Sequence, residues 1–264
     1  ADVWPAEELA SCRVAIVGVG SIGSAVAETL ALAGIGHLSL VDHDRLDQKN
    51  LARHRLTDKD LGRFKVFAMR DHLKQRVPTV RVEAYDINVI SQTDVLRPVV
   101  EGVDVVVCAA DGVAARRTTN HVARRGLRPL VIAAVLEDGA FGELIRVRPR
   151  TGCLYCLRLA QVEAGLMDPE PGIDLGYGTG TSHRPMTAAP PDLQLVGDVA
   201  AKVTLSTLLE ARGRWNQRLP GDYAIIGLQP KPDYPVPFDV SCAGDIRWHD
   251  LPERRADCPT CTPR

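Results

Sequence analysis

Apolar residues along the chain fall into short, nearly continuous runs, separated by stretches in which they recur at helical spacing. Residues 13 to 18 (RVAIVG) form one such run, β-branched and closed by Gly18, and the Ala- and Leu-rich stretch from Ser21 to Gly34 repeats apolar positions every three or four residues. That pair predicts a strand, a turn and a helix. The alternation continues with a strand at 37–42 (HLSLVD), a helix at 60–76, a strand at 80–85 and a helix at 92–100. A strand from Val103 (VDVVVCAA), a helix over 112–125 and a strand from Pro129 (PLVIAAV) come next. Strands this evenly apolar have no face to give to water, so they predict a mostly parallel sheet covered by helices on both sides.

From Gly139 onward the texture changes to shorter strands with more Pro and Gly, which predicts additional antiparallel strands at the C-terminal end. Residues 168–192 are rich in Pro and Gly, lack aliphatic periodicity and read as a crossing segment, taken more broadly as 157–195. A helix is expected at 196–212, and two or three strands then run to the C-terminal cysteines. There is no internal repeat, and the last 70 or so residues, 193–264, are marginal for a core of their own. Residues 1–264 therefore read as one domain, with a nucleotide-binding half at 13–135 and a C-terminal helix and strands at 196–264.

Composition narrows the class. A hydrophobic share of 45% with 25% charged residues is globular, and 32 Lys and Arg against 33 Asp and Glu leave a net charge of −1. That balance provides no polybasic surface, so nucleic acid is not an expected partner. No apolar run reaches the roughly 18 residues of a membrane span, and no signal peptide is visible. Seven cysteines cannot all pair within the chain, and the reading is cytoplasmic. Residue 1 is Ala rather than Met, as expected of a processed chain or of one domain of a longer protein.

The chemistry begins at the first strand–helix junction, where Gly18, Gly20 and Gly23 make GxGxxG. The first glycine permits a tight turn, the second lets backbone approach phosphate, and the third lets helix and strand pack, while the helix N-terminus attracts the anion. Asp42 ends the next strand 19 residues after Gly23, where an acid accepts hydrogen bonds from ribose hydroxyls. So far a Rossmann-like dehydrogenase, flavoprotein or methyltransferase would fit. The residues after Asp42 suit a triphosphate better: Asp44, Asn50, Arg53 and Lys65 supply donors and cations beyond those a glycine loop provides for a dinucleotide. Asp111, just past VDVVVCAA, sits where strand ends line the ligand crevice and where an acid can hold magnesium. For each cation taken singly, the ordinary alternative is a solvated surface side chain.

Four cysteines fall into two CxxC pairs, Cys153 with Cys156 and Cys258 with Cys261. Each CxxC turn presents two thiolates along one edge of a tetrahedron, so the pairs predict a four-cysteine zinc (Zn2+) site, with a redox CxxC as the rival reading. With 101 residues between Cys156 and Cys258, the metal would clip the chain's end back to the point where the sheet ends. Of the others, Cys12 and Cys108 read as buried hydrophobes, and Cys242 is the remaining candidate for a reactive thiol.

The series GVGSIG, VDHD, NLARH, LGRFKV and CAADG, then CLYC and CPTC, resembles the ThiF, MoeB and HesA superfamily of ubiquitin-activating-type adenylyltransferases, in order and spacing from Arg13 to Cys261. The resemblance implies an enzyme that uses ATP and magnesium (Mg2+) to adenylate a carboxylate, usually the C terminus of a ubiquitin-like or sulfur-carrier protein, or of a peptide. Gly18, Gly20 and Gly23 would form the nucleotide loop and Asp42 would hold ribose. Asn50, Arg53 and Lys65 would bind the triphosphate, Asp111 would hold magnesium, and Asp44 matches a further acid of the motif. Arg53, Lys65 and Asp111 would carry catalysis, and the four paired cysteines a structural zinc. The resemblance also implies a homodimer or a pairing with a related subunit. Two departures stand out. Residues 157–241 contain no cysteine, where many relatives carry one that takes the activated carboxylate, and no Arg-rich segment precedes Arg13. His183 and Arg184, in GTSHRP, read as part of a solvated loop, with ordering around a substrate tail as the alternative. The competing readings are a non-catalytic partner or scaffold subunit and an NAD-dependent oxidoreductase.

Overall fold

The computed structural model describes residues 4–136, 139–167, 188–214, 217–230 and 233–262. Five strands alternate with helices as the apolar pattern predicts: β1 (Arg13–Val17), α2 (Ser21–Leu32), β2 (His37–Val41), α3 (Lys65–Arg76), β3 (Arg81–Tyr85), α4 (Thr93–Glu101), β4 (Val105–Cys108), α5 (Val113–Arg125) and β5 (Leu130–Leu136). A short helix, α1 (Ala6–Ala10), precedes them, and β6 (Phe141–Val147), α6 (Leu154–Glu163), α7 (Pro190–Glu210), β7 (Tyr223–Gly227) and β8 (Ile246–His249) complete the chain. All eight strands form one sheet in the order β3-β2-β1-β4-β5-β6-β7-β8. The first five pair in parallel, and β5 through β8 continue antiparallel, as the change of texture after Gly139 predicts.

Side chains alternate across the sheet. In β1, Val14 and Ile16 face a core built with α2, α3 and α7, whereas Ala15 and Val17 face the one built with α4, α5 and α6. Both faces are dry, which is why these strands read as unbroken apolar runs. The antiparallel strands carry buried charge as well. Arg146 pairs with Asp222 at 2.6 Å and Glu210 at 3.1 Å, and Arg158 pairs with Glu143 at 2.5 Å while the Tyr223 hydroxyl donates to the same carboxylate at 3.0 Å.

Three expected boundaries are corrected. The helix expected at 60–76 begins at Lys65, because Asp58–Asp60 is a separate 3-10 turn and Gly62 has a φ of +79°, which no helix contains. The helix expected at 196–212 begins at Pro190, because Pro190 and Pro191 occupy the first helical positions, where a missing N–H costs nothing and a preset φ helps. The crossing segment expected at 157–195 therefore contains helix at both ends, α6 and the start of α7. His183 and Arg184 lie outside the described residues, as does 168–187 as a whole.

Candidate nucleotide site and cysteine cluster

The chain runs outward from β1 to β2 and β3, then returns to place β4 on the other side of β1. In open α/β sheets the carboxyl ends of strands at such a switch point leave a crevice. A cavity of about 550 Å³ lies there, walled by Val17 and Gly18 at the end of β1, Asp42 and Asp44 after β2, and Ala109 to Gly112 after β4. Its size suits a nucleotide-sized ligand.

The three glycines do different work. Gly18 has a φ of +86°, and a Cβ there would stand 2.6 Å from the Ala110 nitrogen. A Cβ on Gly23 would fall 1.8 Å from the Gly18 carbonyl oxygen, so Gly23 serves the packing of α2 on the turn. Around Gly20 nothing lies within 4 Å of the added atom, and Gly20 lines the cavity. It is the glycine at which a ligand can come close to backbone. Helix α2 starts immediately after it with no side-chain cap, leaving its first N–H groups to whatever binds.

Asp42 is tied to the turn. Its Oδ2 accepts from the Val19 N–H at 2.7 Å and its Oδ1 from the Asp44 N–H at 2.8 Å. Burial pushes its carboxyl above the usual range, against the pull of the nearby Lys65 ammonium. Lys65, the first residue of α3, is buried along its stem, and its Nζ reaches Asp44 Oδ2 at 2.7 Å. The approach to Lys65 is set by pairing of 44–46 with 62–65: the Lys65 N–H donates to the Asp44 carbonyl at 2.9 Å, the Leu46 N–H to the Arg63 carbonyl at 2.9 Å, and Arg45 stacks 3.8 Å over the Phe64 ring. Gly62 makes the turn that permits this.

Gly18, Gly20, Asp42, Asp44, Lys65 and Asp111 thus meet around one cavity. Asn50 and Arg53 sit on the 3-10 turn Gln48–Arg53 and are not part of its wall. The Asn50 Oδ1 accepts from the Asp47 N–H at 3.3 Å, closing a capping box. The Arg53 Nε is buried with no hydrogen-bond partner among the described residues, so it retains an unspent donor. A stretch that motif reading passed over, Ile87 to Ser91, forms a further part of the cavity wall. Its position after the carboxyl end of β3 was the available signal.

The four paired cysteines converge although they come from distant parts of the chain. Their Sγ atoms stand 3.9 Å (Cys153–Cys156), 3.6 Å (Cys153–Cys258) and 3.7 Å (Cys156–Cys261) apart. All four lie within 4.8 Å of one another. A tetrahedral zinc with bonds of about 2.3 Å has edges of about 3.8 Å, so these residues fit that ion. Burial raises the thiol pKa values of Cys153 and Cys258, the direction in which a dication is needed to keep them ionised. The Arg124 guanidinium adds a charged contact to the Cys261 Sγ at 3.1 Å. Cys12 and Cys108 are buried, as expected, and Cys242 is exposed in the segment between β7 and β8.

Fold and crevice together define the class: a Rossmann-like α/β protein of the nucleotide-binding type, with an antiparallel C-terminal extension and a four-thiol cluster suited to zinc. The chain belongs to the ThiF family, whose profile matches residues 5–208. It is 36% identical over 137 residues to the sulfur carrier protein adenylyltransferase of Thermus thermophilus, a match covering 50% of this chain and 49% of that protein. It is 30% identical over 175 residues to the molybdopterin-synthase adenylyltransferase of Salmonella typhimurium, covering 63% of this chain and 70% of that one. The match thus spans about half the length of the first of these relatives. Among solved structures, Escherichia coli MccB with ATP superposes with a TM-score of 0.71 at 20% identity, covering 98% of this chain and 69% of MccB, a likeness of fold. Among the described residues no helix is long and apolar enough to cross a membrane.

Proposed function

We propose that this protein is an ATP- and magnesium-dependent adenylyltransferase that activates the C-terminal carboxylate of a ubiquitin-like or sulfur-carrier protein, or of a peptide. The observation that carries the reading is the juxtaposition around one crevice of the open Gly20 turn, the buried-stem Lys65 and the acids Asp42, Asp44 and Asp111, in a chain of the ThiF family. The relatives are named for sulfur carrier protein, molybdopterin synthase and, in Caenorhabditis elegans, a ubiquitin-like modifier, which supplies the class of substrate.

In the reaction a carboxylate oxygen attacks the α-phosphorus of ATP, the bond to the β-phosphate oxygen breaks, and pyrophosphate leaves with the electron pair. The chain needs to provide alignment and charge neutralisation rather than a nucleophile. The α2 N-terminus and the Gly20 backbone receive phosphate, Asp42 and the turn orient the ribose, and Lys65 exchanges Asp44 for phosphate oxygens. Arg53 turns its unspent donor, and Asn50 its amide, toward the triphosphate. Asp111 would hold magnesium, which would supply positive charge beside the phosphates. Cys153, Cys156, Cys258 and Cys261 would hold zinc as a structural clip. Since 157–241 contain no cysteine, the adenylate is handed on without a thioester in the crossing segment. The enzyme would work as a homodimer or beside a related subunit, in the cytoplasm.

The test is exchange of labelled pyrophosphate into ATP with magnesium and candidate carboxylates, alongside calorimetry with ATP and with NAD. Exchange that depends on a carboxylate supports the reading. Absence of ATP binding, or tight binding of NAD in its place, overturns it.

A further inference from the structure

The glycine turn is held at its centre by a residue that the motifs leave without a role. His54 follows Arg53 and ends the 3-10 turn Gln48–Arg53. Its Nε2 lies 2.8 Å from the Val19 carbonyl oxygen, and the Leu56 N–H donates to its Nδ1 at 3.1 Å. A carbonyl only accepts and an amide only donates, so the ring must be neutral with its proton on Nε2. Val19 is therefore gripped on both sides, its N–H by Asp42 Oδ2 at 2.7 Å and its carbonyl by His54.

We infer that His54 is a positioning residue that holds the Val19–Gly20 peptide in the orientation through which the turn receives a nucleotide's phosphates. This rests on reading the crevice as the nucleotide site. In a planar trans peptide the carbonyl and the following N–H point in opposite directions. Fixing the Val19 carbonyl on His54 therefore aims the Gly20 N–H away from His54, at a residue that lines the cavity with nothing within 4 Å of the position of its absent Cβ. Gly18 and Gly20 flank Val19, and glycine resists rotation of neighbouring peptides least of all residues, so without an external tether this peptide is free to flip. His54 supplies that tether through the Val19 carbonyl, and Asp42 holds the preceding Gly18–Val19 peptide through the Val19 N–H.

The surroundings keep the imidazole neutral. Burial lowers the His54 pKa from 6.5 to about 4, the positive charges of Lys65 and His72 push the same way, and the Val19 carbonyl and Asp60 oppose them. The clamp is thus intact throughout the neutral range.

The experiment compares wild type with His54→Gln, His54→Asn and His54→Ala by ATP calorimetry and by the ATP dependence of pyrophosphate exchange. Glutamine can place an amide N–H where Nε2 stands, while asparagine reaches only the Nδ1 position. Gln is expected to stay within about threefold of wild type in ATP affinity, and Asn and Ala to weaken it about tenfold, the worth of one lost hydrogen bond. The KM for ATP should rise more than kcat falls. Nitrogen-15 NMR of the wild type at pH 6 should show the neutral Nε2–H tautomer. Equal affinity in Ala and wild type, Gln no better than Ala, or a protonated or Nδ1–H ring at pH 6 overturns the inference. If Asn and Ala fail to fold, the Gln variant and the wild-type NMR decide it. A wild type that does not bind ATP fails the reading of the crevice itself, whatever the tautomer.

Discussion

At the scale of single residues, the crevice is a set of charges held in readiness by local geometry. Lys65 is the clearest case, since its stem is buried while its ammonium reaches an Asp44 side chain that is 52% exposed. A partner so open to solvent is readily exchanged for phosphate, because an exposed ion pair contributes little by itself. Lys65→Ala should therefore cost at least tenfold in ATP-dependent activity, the loss of a charge-assisted contact worth about 1.5 to 3 kcal/mol. Steady-state kinetics against ATP checks this, and an unchanged kcat/KM would remove Lys65 from the site.

His54 has a consequence for stability as well. Its pKa is about 4 in the fold against 6.5 as the ordinary value, so between those limits the unfolded chain binds more protons than the native one. Its contribution is complete above pH 6.5 and is lost as pH falls toward 4. From pH 7.5 to pH 5 this one group should remove about 2 kcal/mol. Urea unfolding of wild type and His54→Gln at the two values measures it, and the wild type should show the steeper decline.

At the scale of elements, the turn depends on how α7 lies against α2. Gly197 makes the close approach possible: a Cβ there would meet the Ala25 Cβ at 2.7 Å and the Ile22 carbonyl oxygen at 3.1 Å. The Thr29 hydroxyl donates to Asp198 at 2.7 Å one turn further along. Replacing Gly197 by Val should destabilise the protein by about 1 to 3 kcal/mol through overpacking, read as a lower urea midpoint with an unchanged slope. Since α2 carries the turn, ATP affinity should fall with it. The same helix shows where composition misleads. Pro190 and Pro191 read as loop beside the Pro- and Gly-rich stretch before them, yet at a helix start they cost nothing.

At the scale of the whole molecule, the cysteine cluster and the crevice stand at opposite edges of the sheet. Val147, the last residue of β6, pairs with Leu130, the first of β5, so Cys153 follows from the amino edge of the parallel strands, whereas the crevice opens at their carboxyl edge. A metal held there would stabilise the chain without touching the crevice. Metal analysis should find about one zinc per chain, and chelation or Cys258→Ser should lower the melting temperature by several degrees while ATP affinity changes less than about threefold. A loss of nucleotide binding in step with zinc would contradict the structural assignment.

What the sequence determined on its own was whatever depends on neighbours a few positions away. Continuous apolar runs and a period of three to four set strands and helices through backbone sterics and burial, Gly18, Gly20 and Gly23 marked the turn after the first strand, and acids at strand ends stood where an open sheet leaves its crevice. The tertiary structure decided what depends on closure of the sheet. The Val19 carbonyl meets an imidazole 35 residues downstream, and Ile87 to Ser91 complete a wall shared with Lys65, the start of α5 and three other strand ends. Asn50 and Arg53, on the 3-10 turn that Asp47 caps, are not part of the cavity wall. None of these approaches is written in local spacing, because each follows from how strands far apart in the chain are paired and covered.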